Sequence, residues 1–459
     1  MNNFSVNLIL VAAGAILATI AYGSTLPILA AALIFIPTYF VLLVTPLGGR
    51  WEQRMFTRQF AVGFAAAGVA GIYAELLSDP LQLSQDAGHF FRFATQDATG
   101  LTLAEIRTQS NGSIAIVIWR EIYDALAILG FPKARYIGVV INVTVVALSG
   151  VFLIKMARYV YGEDKKRFHR LIILVSFCGI FWLFAAVHLR DGFVLLTIVI
   201  SVWVWAWYLQ KPGMDFRVVM LVVCSVLFSN ILPFLRAELF FAPLALGVAG
   251  TAALILGAES SRLRWIGLLV GALGLLLLIA NNGTTAARFL YVVQRANIAY
   301  FELARSQSEP NSLGMALILD QPVVIRLVLG TLYLYVFPIP FWVGFQIDNV
   351  YNLFISLNTI FFYFLIPLLV LGVAIVARNQ RARTPGVFFH LFIALGFSVA
   401  VALTSLEMRH IGPFLMSVLL IALLPDLTQV EIRRTYQYIL VYFLVLMGAA
   451  HIAWLIIKV

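Results

Sequence analysis

Charge is scarce in this chain. Only 11% of its 459 residues are Asp, Glu, Lys or Arg, and cysteine occurs twice. A soluble protein of this length needs a charged shell, so a water-soluble fold is excluded. Both cysteines, Cys178 and Cys224, lie inside apolar runs, which implies no extracytoplasmic disulfide. Signatures of phosphate and metal chemistry are missing as well: there is no Walker loop, no G-x-G-x-x-G after a strand, no H-E-x-x-H and no paired C-x-x-C. The first residues, MNNFSVNLILV, lack a basic n-region and an A-x-A cleavage site. Residues 4–22 therefore read as a retained first helix rather than a signal peptide.

What is abundant is apolar sequence, at 62% of residues and a mean hydropathy of +0.97. It comes in repeated runs of about 17–25 residues, the length that crosses a bilayer as helix. Backbone groups in lipid must be satisfied within the segment, and a barrel would show short alternating strands instead. The expectation is an all-α polytopic membrane protein forming one integral domain over 1–459. The formal charge of +10 invites a nucleic-acid partner, but its placement argues against one. Six short segments (48–59, 155–170, 210–217, 259–264, 378–383 and 426–434) hold 18 of the 31 Lys and Arg and 7 of the 21 Asp and Glu, a net of +11. By the positive-inside rule they are cytoplasmic.

Parity then gives 13 spans: 4–22, 25–45, 60–77, 135–154, 171–187, 192–209, 218–235, 239–257, 265–281, 351–377, 386–404, 411–425 and 436–457. The N-terminus falls inside. Residues 114–129 and 323–345 are apolar too, but if they crossed, the basic loops would change sides. Both are expected to lie along or dip into the outer interface, where Trp119, Tyr123, Tyr333, Tyr335 and Trp342 suit the headgroup region.

The charged clusters that interrupt apolar sequence all fall on the outer side. HLRDGF carries His188, Arg190 and Asp191 at the tip of a hairpin. QDAGHFFRFA carries Asp86, His89 and Phe90 just after a span. Arg288 and Arg295 lie two helical turns apart on one face of an amphipathic stretch, in a spacing suited to phosphate through forked guanidinium donors. SLEMRHIGPF carries Glu407, Arg409 and His410, and LRAEL carries Arg236 and Glu238. Each alone is an ordinary polar loop. Together they mark one face as a candidate site.

In these features the chain resembles the C-type multi-span glycosyltransferases, which use polyprenyl-phosphate- or diphosphate-linked sugars, and is similar to bacterial polysaccharide-polymerase relatives. The resemblance rests on Asp86 in the first outer loop with Phe90 four residues on, the Arg190–Asp191 pair, the Glu407–Arg409–His410…Pro413 segment and the re-entrant stretch ending FPIPFW. It covers residues 60–425 in order, with outer loops 78–136 and 282–350. Two extra helices precede that core (1–59), a last helix follows it (426–459), and there is no soluble C-terminal domain. The resemblance implies transfer of a sugar from the lipid donor to a saccharide or glycoconjugate acceptor in envelope assembly, at the outer face of a bacterial inner membrane. Asp86 and Asp191 would be the catalytic carboxylates. His89, Arg190, Arg288, Arg295, Glu407, Arg409 and His410 would bind substrate. Some relatives employ a divalent cation, Mg or Mn, and others none. The competing expectations are a lipid-linked-oligosaccharide flippase or transporter, which would place polar groups at the midplane, and an O-antigen ligase or polymerase of another fold.

Overall fold

A computed structural model describes residues 3–76, 85–110, 112–213, 215–257, 321–345 and 350–458, with isolated positions between them. It contains no strand among the described residues and is a bundle of helices. Eleven helices are long and apolar enough to cross a membrane, or twelve if one bent pair counts as a single span. The chain is an all-α multi-pass membrane protein. The expected span at 265–281 lies almost wholly outside the described residues.

The helices are α1 (Asn3–Tyr22), α2 (Leu26–Val44), α3 (Arg50–Leu76), α4 (Gln85–Arg92), α5 (Leu103–Gln109), α6 (Ser113–Ile128), α7 (Arg135–Tyr161), α8 (Lys165–Ser176), α9 (Gly179–Ala186), α10 (Asp191–Gln210), α11 (Phe216–Leu235) and α12 (Ala242–Gly257). After residues not described come α13 (Val323–Val336), α14 (Val350–Arg378), α15 (Pro385–Thr404), α16 (Met408–Ile411), α17 (Leu415–Ala422) and α18 (Val430–Lys458).

Helix α7 is the axis. Apolar on every side, it is 94% buried over its most hydrophobic stretch, against 11% for α18. A helix that is apolar all round must be surrounded, by protein for α7 and by lipid for α18. Val441, Tyr442, Val445, Ile452 and Ile456 of α18 point outward. Close approach of α1 to α3 depends on small residues: a side chain on Gly68 would meet Leu17 Cβ at 2.7 Å, and one on Gly71 would meet Ala21 Cβ at 2.9 Å.

One end of the bundle is tied by the basic segments. Glu52, fully buried, is held by both terminal nitrogens of Arg158. Lys155 Nζ donates to Pro46 O at 3.1 Å, and Arg170 to Pro425 O at 2.8 Å. Residues 50–59 and 430–434, expected as loops from their charge, are instead the opening turns of α3 and α18. Charge placement does not distinguish a loop from a helix that projects past the lipid.

Two expected spans are broken. The stretch 171–187 bends by 60° between α8 and α9. The freed backbone groups are answered locally: Asn358 Oδ1 accepts from Ile180 N at 3.1 Å, and Trp182 Nε1 donates to Ser176 O at 2.9 Å. Gly179 permits the close contact with α14, since a Cβ there would lie 2.5 Å from Phe354 O. The stretch 411–425 divides into α16, a 3-10 turn through Pro413 and α17, because proline offers no N–H to the turn.

Val323–Phe345 is long and apolar enough to cross, but its neighbours trace a different path. Arg326 donates to Leu403 O, 2.6 Å away at the end of α15. Phe337 O accepts from Thr359, Phe341 packs on Tyr363 at 6.2 Å, and Gly344 lies against Asn352 and Ser356. Depth along α14 thus increases to Tyr363, about 20 Å from its start, and then decreases again. The segment runs alongside α14 and turns back towards its starting end.

Replacing Asn358 with Leu strips the α9 N-terminus of its acceptor in an apolar setting. A loss of about 1–3 kcal/mol is expected, read as a lower thermal midpoint of the detergent-solubilised protein.

Candidate functional site

The end opposite the Glu52–Arg158 clamp holds the charged tips. Its foundation is the turn between α9 and α10. Asn142, buried in α7, donates through Nδ2 to Val187 O at 2.9 Å and Leu189 O at 2.8 Å. Both carbonyls lie past the end of α9, outside its helical ladder, and Val187 O also accepts from Leu189 N at 2.7 Å. His188 turns inward and is fully buried, its ring 4.0 Å from that of Trp119 on α6. Tyr123 Oη accepts from Gly138 N at 3.2 Å and is hydrogen-bonded to His188 Nε2 at 3.0 Å. Gly138 has to be glycine, since a Cβ would lie 2.1 Å from the imidazole. His188 therefore locks α6 to α7 and contributes no charge to the site. The three polar residues of HLRDGF point in different directions.

Arg190 and Asp191 face the site together with three other helix ends. Arg236, just past α11, engages all three guanidinium nitrogens: Nη1 with Asp191 at 3.2 Å, Nη2 with His410 Nε2, and Nε towards Glu238 at 3.7 Å. Glu407 Oε2 lies 2.7 Å from Arg409 Nε and 3.1 Å from His410 Nε2. Arg409 Nη1 reaches Asp86 at 3.1 Å. The result is one cluster in which Asp86–Arg409–Glu407 and His410–Arg236–Asp191 lie side by side, Glu407 packed next to the His410 ring, joining segments up to 323 residues apart. The hairpin that presents Glu407 turns on Leu406, buried at φ +52°, a left-handed conformation that costs about 1 kcal/mol or more for a side-chain-bearing residue. Tyr351, in the first turn of α14, is within electrostatic reach of Glu407, Arg409, Asp191 and Arg236.

The two ends of this cluster differ in energy. The Asp86 side chain is 54% exposed and its pair with Arg409 lies at the surface, so opening it costs about 1 kcal/mol or less. The Asp191 side chain is 4% exposed. Removing one partner of such a buried pair costs about 3–5 kcal/mol. Of the two expected catalytic carboxylates, only Asp86 is open to an incoming molecule. Asp191 orients an arginine, Arg236.

Arg190 is the exception among the cluster's cations. It is largely buried, its guanidinium lies 5.4 Å from the Phe90 ring, and its Nη1 has no hydrogen-bond partner. It forms no ion pair among the described residues. Gly112, at φ +92°, makes room for it: a Cβ there would come within 2.6 Å of Arg190 Cδ. Burial lowers the affinity of Arg190 for its proton, and Arg236 adds to this.

His89 stands apart, its Nε2 3.2 Å from Ser110 Oγ and its ring packed beside Phe90 and Phe93. Arg288 and Arg295 lie outside the described residues. The structure thus brings together Asp86, Arg190, Asp191, Glu407, Arg409 and His410, and adds Arg236, Glu238, Ser405 and Tyr351. Arg236 was visible in LRAEL only as one charged tip among several, and Tyr351 carried no sequence signal. The carboxylates of the cluster face guanidiniums, and among the described residues no three His, Cys, Asp or Glu side chains group as metal ligands. Comparison with protein-family models, curated proteins and solved structures found no match.

Arg236 can only donate, so His410 Nε2 accepts and its ring proton sits on Nδ1, donating to Ser405 Oγ at 2.6 Å. Burial, reinforced by Arg236, Arg409 and Arg190, holds His410 well below the usual imidazole range. Burial, with a contribution from Arg135, pushes His188 down to about 3. Both rings are neutral when folded, so on acidification the unfolded chain takes up protons first. Their contribution to stability is complete above pH 6.5 and is lost as pH falls towards 3. A lower thermal midpoint is expected at pH 5 than at pH 7.5, with a smaller difference in a His188→Gln, His410→Gln variant.

Proposed function

We propose that this protein is a glycosyltransferase. It moves a sugar or oligosaccharide from a polyprenyl-phosphate- or diphosphate-linked donor to a saccharide or glycoconjugate acceptor, at the outer face of the cytoplasmic membrane. The observation that carries the reading is Arg190: a buried guanidinium without an ion pair among the described residues, in a cluster whose other arginines are each matched by carboxylates. A phosphate oxygen would supply the missing anion through a charge-assisted hydrogen bond.

The remaining roles follow from position. Asp86, exposed and weakly held, accepts the proton of the acceptor hydroxyl. Its partner Arg409 turns to the departing phosphate when the pair opens, stabilising the negative charge that builds on the leaving oxygen. Glu407 keeps Arg409 in place from behind. The donor's polyprenyl chain would lie in lipid beside the bundle, so its phosphate meets the protein at the level of the charged tips. The orientation with this end outward follows from the basic residues at the other end. Nothing in this scheme passes through a metal.

The test is transfer of labelled sugar from a panel of polyprenyl-linked donors by the purified protein. Asp86→Asn is expected to reduce turnover by about 10²–10⁴-fold, and Arg190→Gln to weaken donor binding, with both variants folded. Turnover unchanged in both variants would refute the assignment.

A further inference from the structure

Arg190 sits next in sequence to a carboxylate, yet does not pair with it. The reason lies in Arg236. Its Nη1 occupies Asp191 at 3.2 Å and its Nε draws Glu238, while His410 holds the third nitrogen. Asp191 and Glu238 are also the carboxylates whose charge is felt most strongly at Arg190. Both are thus within electrostatic range of Arg190, and both are turned away from it by one competing guanidinium.

We infer that Arg236 is a positioning residue that keeps Arg190 available to an anionic phosphate by taking Asp191 and Glu238 for itself. The inference rests on the reading of Arg190 as the phosphate-binding group. Arg236 need not touch the ligand, because its nitrogens are already engaged. Without it, the buried Asp191 and the half-exposed Glu238 would be left unanswered beside the nearest remaining cation, Arg190. They would neutralise that guanidinium and repel the phosphate. His410 supports the arrangement from the opposite side. As a neutral acceptor it fixes the angle of the Arg236 guanidinium, and Ser405 fixes the ring.

The experiment uses the full-length protein in nanodiscs, with a polyprenyl monophosphate as probe and the uncharged polyprenol as control. Arg236→Met is expected to weaken phosphate binding by about tenfold or more, although Arg190 is intact. Adding Asp191→Asn to Arg236→Met removes the competing charge and is expected to restore most of the affinity. The double variant leaves no uncompensated pair partner in the core and so remains informative if Arg236→Met alone does not fold. Equal weakness of the folded single and double variants would overturn the inference, since Arg236 would then act as a ligand itself. Wild-type affinity in Arg236→Met would overturn it too, leaving the phosphate reading of Arg190 standing. If wild type binds the phosphate no better than the polyprenol, both fall together.

Discussion

A guanidinium buried at the end of a helix bundle has to be answered from several directions, and at Arg236 the answers come from three separate parts of the chain. Asp191 starts α10, Glu238 lies beyond α11, and His410 belongs to the hairpin after α15. Three helix ends are therefore fixed around one planar group with donors in a rigid fork. Glu407, Arg409 and Asp86 continue the cluster outward, with burial decreasing along it. The arrangement is rigid towards the bundle and loose towards the surface, a useful gradient where a molecule must enter without disturbing the helices.

The turn beneath it is built by different means. Asn142 and Tyr123 meet the polar needs of residues 187–189 from inside the bundle, and Gly138 clears the space for His188. None of these groups is charged. Uncharged hydrogen bonds set the position of Arg190 and Asp191, and the ion pairs then decide which of the two is engaged. Loss of the first layer would displace the tip, whereas loss of the second would leave the tip in place with its charges redistributed.

Much of this was legible in the sequence because membranes make sequence simple. Apolar run length showed the course of most helices, though not that 411–425 is broken, and the basic residues separated one end from the other. Asp86, Arg190, Asp191, Glu407, Arg409 and His410 could be named because a charge interrupting apolar sequence is conspicuous. Pairing was not legible. Nothing local says that Asp191 prefers Arg236 to its neighbour Arg190, since that choice is made by helices 45 residues apart. The break between α8 and α9 was hidden for a related reason. Phe177 and Cys178 are as apolar as their surroundings, and the acceptor that makes the break tolerable, Asn358, comes from α14. His188, grouped in the sequence with its charged neighbours, proved to be a neutral packing element because Trp119 and Tyr123 enclose it.

The hairpin formed by Val323–Phe345 enters beside the end of α15, turns near the level of Tyr363 and comes back beside the start of α14. An element that leaves by the side it entered adds nothing to the count of crossings. Its loss or gain over evolutionary time would leave α14, α15 and α18 facing the way they do now. The depth of the bundle interior could thus be remodelled next to the charged cluster while the topology downstream stayed untouched.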